Sequence, residues 1–70
     1  MAFINTEGLN ETQKTYIVNR VRFTASLTIG VNPEIDDYWE DEDETRLHIT
    51  DRLAEALGDG EIGYGRKIEK

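Results

Sequence analysis

The sequence predicts an all-α protein: a small helical hairpin with helices over about 11–29 and 41–57, a short helical turn over about 33–39, and an irregular C-terminal tail. Three observations point there. Residues 11–29 run without Gly or Pro between a capping pair and a glycine, residues 45–57 place apolar side chains on one half of a helical wheel, and glycines punctuate the end of the chain. The 70 residues read as one small domain, 1–70, with 59–70 as a candidate flexible tail. A chain this short buries only about 60% of the surface its unfolded form exposes. With no Cys to staple it, association into a homodimer or small homo-oligomer is expected to complete the core.

The first helix opens at Asn10, whose side chain can cap while Gln13 completes the reciprocal pair, and it stops at Gly30, suited to a left-handed cap. Ile17, Val18, Val21, Ala25 and Ile29 share one arc of the wheel, with Tyr16, Phe23 and Leu27 on a second arc beside it. Two apolar arcs suit a helix that packs within its own chain and against a neighbour. The same stretch carries a competing pattern: Val21, Phe23, Ala25, Leu27 and Ile29 alternate with polar residues at the strand period. The alternative fold is therefore a small α+β domain with strands over about 21–29 and 61–68, where Ala2–Asn5 is another available strand.

Asn32-Pro33-Glu34 reads as a second helix start, with Asn as cap and Pro at the first helical position. Asp41 and Glu44 offer a further capping pair, and repulsion among neighbouring carboxylates favours a break near Asp41. From Thr45 onward Leu47, Ile49, Leu53, Ala54, Ala56 and Leu57 form the apolar half of a helix ended by Gly58 and Gly60.

The formal charge is −7, from 15 acidic and 8 basic residues, and its location is more informative than its size. Residues 31–45 hold Glu34, Asp36, Asp37, Glu40, Asp41, Glu42, Asp43 and Glu44 without a base, while the rest of the chain is nearly neutral. Runs of like charge commonly serve solubility alone. Here Ile35, Tyr38 and Trp39 lie inside the run, and Tyr and Trp are favoured anchors of protein interfaces. The partner-binding candidates are accordingly the eight acids together with Tyr38 and Trp39. The expected partner is a basic surface of another protein, such as a nucleic-acid-binding enzyme or complex, with no direct nucleic-acid binding. In size and composition, though in no motif, the chain resembles the small acidic nucleic-acid mimics that phages make against host nucleases, restriction systems, CRISPR effectors and polymerases. That resemblance implies an inhibitor that docks its carboxylates on a host protein.

A second reading, from a different class, is a self-assembling helical module that scaffolds an assembly or holds a small anionic ligand between protomers. It rests on the wide apolar surface of the first helix, with Arg20, Arg22, Arg66 and Lys67 as candidate ligand-binding cations.

Catalytic and cofactor chemistry finds little support. Gly58-Asp59-Gly60-Glu61-Ile62-Gly63 matches a dinucleotide fingerprint in letters but follows a helix and carries two carboxylates that repel phosphate. A calcium loop from Asp41 fails because Arg46 stands where Gly is required and Arg52 where the closing Glu is required. His48 has no nucleophile or second base placed with it and reads as a surface histidine with Glu44, Asp51 and Arg52 as helical neighbours. No enzyme, cofactor or metal is expected. With no Cys, no signal-like N-terminus and no long apolar run, the expectation is a cytoplasmic protein with no membrane association.

Overall fold

The computed structural model describes residues 2–29 and 33–70. It is an α+β fold, not all-α. Strand β1 (Ala2–Asn5) leads to helix α1 (Glu11–Ile29), then a 3-10 turn (Ile35–Asp37), strands β2 (Tyr38–Glu40) and β3 (Arg46–Ile49), helix α2 (Asp51–Leu57), and strands β4 (Glu61–Gly63) and β5 (Arg66–Glu69). The strands form one sheet in the order β2-β3-β1-β5-β4, each hydrogen-bonded to its neighbours antiparallel.

Helix α1 forms as the sequence predicts, and its cap is the expected one. The Gln13 amide donates to Asn10 Oδ1 at 2.8 Å, and the Asn10 amide donates to Gln13 Oε1 at 2.9 Å. Ile17, Val21 and Ala25 are buried while Phe23 and Leu27 are exposed, a split that only the helical period produces. The strand alternative is thereby corrected at 21–29, which is helix; its α+β class is right, and strands do form within its 61–68 segment, as β4 and β5, and at Ala2–Asn5. The cap assigned to Gly30 and the one assigned to Asn32 lie outside the described residues.

The helix expected over 41–57 is instead a turn, strand β3 and the short helix α2. Asp41 and Glu44 do not cap a helix. The Glu44 amide donates to the Asp41 carbonyl and the Thr45 amide to Asp41 Oδ1, closing the β2–β3 hairpin. Leu47 and Ile49 are buried as expected, but as alternate residues of a strand, with Arg46 and His48 on the opposite face. Thr50 then caps α2, its hydroxyl oxygen accepting from the Leu53 amide, and Leu53, Ala54, Ala56 and Leu57 turn inward. The helical turn expected over 33–39 shrinks to one 3-10 turn, because Tyr38 and Trp39 pair with Ile49 and His48 as strand residues.

Nor is the C-terminal segment an irregular tail. It folds as the β4–β5 hairpin, whose connecting residues Tyr64 and Gly65 have φ of 53° and 74°. Positive φ at both central residues matches the turn twist to that of the flanking strands. Strand β5 then pairs with β1, Ile4 opposite Ile68.

Register gathers the core on one side. Ala2 faces Ile49, Ile4 faces Leu47 and Ile68, and Tyr38 faces Ile49, so their side chains share the inner sheet face. Helices α1 and α2 cover that face with Ile17, Val21, Ala25, Leu53 and Leu57. The outer face carries Phe3, Trp39, Arg46 and His48 and has no helix over it among the described residues.

Candidate functional site

Two surfaces follow from this arrangement. The first is the outer side of α1. Tyr16, Phe23 and Leu27 sit at helical spacings of seven and four residues, so they fall on one stripe about 16 Å long at 1.5 Å per residue. They are 44%, 60% and 70% exposed. Tyr64, from the β4–β5 turn, extends the stripe: its ring meets that of Tyr16 edge to face at 5.3 Å. The Tyr16 ring also closes over Gly63, where a Cβ would come within 2.8 Å of Tyr16 Cε1. Arg20 and Arg22 are exposed on the same helix. Arg66 and Lys67 lie on β5, where Arg66 donates to the Asn5 carbonyl.

The second surface is the acidic segment, which the structure divides by chemistry. It is not one helical stripe of carboxylates. Asp37 is buried beneath it and accepts from Arg52 Nη2 at 2.6 Å, the Glu34 amide at 2.9 Å and Thr50 Oγ1 at 3.0 Å. The Glu34 amide, then Arg52, hold its pKa below the ordinary carboxylate value. Asp41 is half-buried. Partial burial raises its pKa, but the amides of Thr45 and Arg46, with help from His48, outweigh that and lower it overall. Glu40 is drawn to the helix side of β2 by Lys14, whose ammonium lies 3.3 Å from Glu40 Oε2 and donates to the Glu44 carbonyl at 3.0 Å.

Glu34, Asp36, Glu42, Asp43 and Glu44 are exposed. Of these, Glu42, Asp43 and Glu44 share the hairpin tip, with Glu44 in the left-handed region at φ 57°. Trp39 is 40% exposed on the outer sheet face, stacked on His48 with ring centroids 5.6 Å apart and planes 18° from parallel. Tyr38 points the other way, half-buried against the core, and is not part of that surface. Ile35 belongs to the 3-10 turn, and its side chain lies outside the described residues.

His48 is not surrounded by Glu44, Asp51 and Arg52 as a helix would have it. Its neighbours are Trp39, Phe3, whose ring centroid is 6.1 Å away, and Asp41, 3.8 Å from Nε2. Arg46 lies over the Phe3 ring at 5.1 Å, so an aromatic and cationic row crosses β2, β3 and β1. Reading residues 45–57 as helix hid that row. A strand register of Phe3, His48 and Trp39 was the signal for it.

Among the described residues no group of three or more His, Asp or Glu is gathered as a metal ion would need. No described helix is long and apolar enough to cross a membrane. Comparison of the chain with protein-family models, curated proteins and solved structures returns no match.

Proposed function

We propose that this protein is a small non-enzymatic interaction module that assembles with copies of itself through the outer face of α1 and so scaffolds a larger assembly. One observation carries the reading: Phe23 and Leu27, the two most exposed large apolar side chains described, stand on one helical stripe with Tyr16 and Tyr64. Fully burying a Phe or Leu is worth about 1.5–3 kcal/mol. Covering both in two protomers supplies several kcal/mol toward the lost freedom of association. The core is thin, so a second copy also covers apolar surface that the chain cannot cover itself. Retention of an anionic ligand between protomers is not part of the proposal, because the four cations lie on two elements.

Analytical ultracentrifugation from low to high micromolar concentration tests it. A defined oligomer is expected, and the double variant Phe23→Ser, Leu27→Ser should be a folded monomer. A wild-type protein that stays monomeric throughout that range refutes the reading.

A second reading is favoured by the exposed Trp39 and by the carboxylates of Glu42, Asp43 and Glu44 at the hairpin tip: docking on a basic surface of another protein. Salt separates the two. Copies of charge −7 repel, so self-association strengthens as salt is added, whereas docking on a basic protein weakens. Replacing Glu42, Asp43 and Glu44 by Gln, Asn and Gln should abolish salt-sensitive capture of a basic partner while leaving the oligomer intact.

A further inference from the structure

Strand β2 ends the sheet, and no other strand lies along its outer edge among the described residues. The hydrogen bonds on its inner side fix which backbone groups point outward. The Asp41 amide donates to the Arg46 carbonyl and the Thr50 amide to the Asp37 carbonyl, so Asp37, Trp39 and Asp41 turn their backbone groups toward β3. Alternation along an antiparallel strand then directs the N–H and C=O of Tyr38 and Glu40 away from the sheet. Charged side chains commonly guard such an edge. Glu40, the one charge on β2, is instead drawn onto Lys14 at 3.3 Å. Beside the edge, between β2 and α1, lies an open groove of about 180 Å³ with Val18, Tyr38, Trp39 and Leu47 as its apolar lining. Residues directly opposite one another in a sheet share a face. A side chain set opposite Tyr38 or Glu40 therefore turns toward α1 and this groove, and one set opposite Trp39 stays on the outer face. The groove slightly exceeds the roughly 150 Å³ cavity that takes up benzene, so it has room for a β-branched side chain.

Charge along the edge selects the occupant. A strand of about seven residues, at about 3.3 Å each, overruns β2 at both ends. It then runs beside the turns that carry Asp36 on one side and Glu42 and Asp43 on the other. These three carboxylates are exposed and have no ion-pair partner among the described residues. A second copy pairing β2 with β2 would set two such acidic segments side by side, and like charges oppose that. A basic strand meets them with opposite charge. We propose that the free edge of β2 takes up an extended segment of a basic protein as a further strand of the sheet. Its apolar β-branched side chains, at alternate positions, face the groove, and Lys or Arg flank them. Main-chain bonds to Tyr38 and Glu40 supply affinity, and the groove supplies specificity. This mode of binding rests on the docking of a basic partner described above and specifies the backbone that holds it.

The probe is the peptide Lys-Lys-Val-Thr-Val-Lys-Lys, capped at both ends and titrated into the full chain at low salt while amide resonances are followed by NMR. Saturable shifts at Tyr38 and Glu40 are expected, with cross-strand contacts from the peptide backbone to both. Added salt should weaken binding. Methylating both Val amides removes the donors that face β2, and at about fivefold per bond the affinity should fall about twentyfold. Methylating the Thr amide, which points away from β2, should change it little. Replacing both Val by Ser should cost about tenfold or more, and replacing the flanking Lys by Glu should remove binding. Glu42→Gln with Asp43→Asn should weaken binding of the Lys peptide in a chain whose spectrum is unchanged. Equal effects of the two methylation patterns, with salt-sensitive binding retained, overturn pairing at the edge and leave docking by charge standing. Unchanged binding by the Glu-flanked peptide and by the neutralised chain refutes the docking itself. Contacts between the β2 strands of two copies in the peptide-free protein also overturn the proposal, because they give the edge to a second copy.

Discussion

Replacing Asp37 with Asn probes the carboxylate on which the acidic segment is built. The substitution preserves shape but removes the charge that accepts from Arg52, Thr50 and the Glu34 amide. Hydrogen bonds to a charged group are worth about 1.5–3 kcal/mol each and are not additive. Asn keeps one acceptor, and the Arg52 side chain is 50% exposed, which screens its share. A net loss of about 2 kcal/mol at neutral pH follows, against a total of about 3.5–10 kcal/mol expected for a domain of 70 residues. The melting temperature should fall by roughly 10 °C.

The pH dependence has a definite sign. The folded-state pKa of Asp37 is depressed, so its contribution is fully present above the unfolded value of about 3.9 and is lost as pH falls through the folded value. Urea denaturation followed by circular dichroism should therefore show the gap between wild type and Asp37→Asn closing below about pH 4. A double-mutant cycle with Arg52→Met should give a coupling of about 1 kcal/mol. A gap under about 0.5 kcal/mol at pH 7, or one undiminished in acid, would refute the assignment.

Other expected outcomes concern packing and backbone. Gly63→Ala should destabilise by about 1–3 kcal/mol, because the new Cβ meets Tyr16 Cε1 at 2.8 Å; adding Tyr16→Ala should return part of that loss in the same denaturation assay. Glu44→Gly should be stabilising by about 0.5 kcal/mol, since φ of 57° strains a residue with a Cβ more than its greater unfolded freedom offsets. A measurable loss would show that the Glu44 side chain has a structural role. Ile49→Ala empties a fully buried position between the sheet and the helices and should cost about 2–5 kcal/mol, enough to leave much of the chain unfolded by circular dichroism at 37 °C.

Helix α1 was legible because its signals are local and long: a reciprocal cap three residues apart and five turns of uninterrupted periodicity. The strands were not, because each spans only three or four residues. In β3, Leu47 and Ile49 supply just two inward positions, too few to distinguish period two from the edge of a helical wheel that continues through Leu53 and Leu57. The Thr50-Asp51 start of α2 was the available cue, a cap followed by an acid in the first turn. The β4–β5 turn was hidden for a different reason. Its left-handed first residue is Tyr64, where Asn, Asp or Gly signals such a turn.

The same limits explain the acidic segment. Composition located its eight carboxylates, but their division depends on contacts made far along the chain. Asp37 is bonded to Thr50 and Arg52, and Glu40 to Lys14. A helical reading gives all eight a similar solvated fate, whereas strand alternation and a hairpin turn send neighbours in opposite directions. Trp39 faces outward onto His48 while Glu40 faces α1. The carboxylates that stabilise the fold are thus separated from those at the hairpin tip, and this makes the segment testable in parts. Neutralising Asp37 perturbs folding and its acid sensitivity. Neutralising Glu42 and Asp43 leaves both unchanged and alters only what the exposed surface attracts.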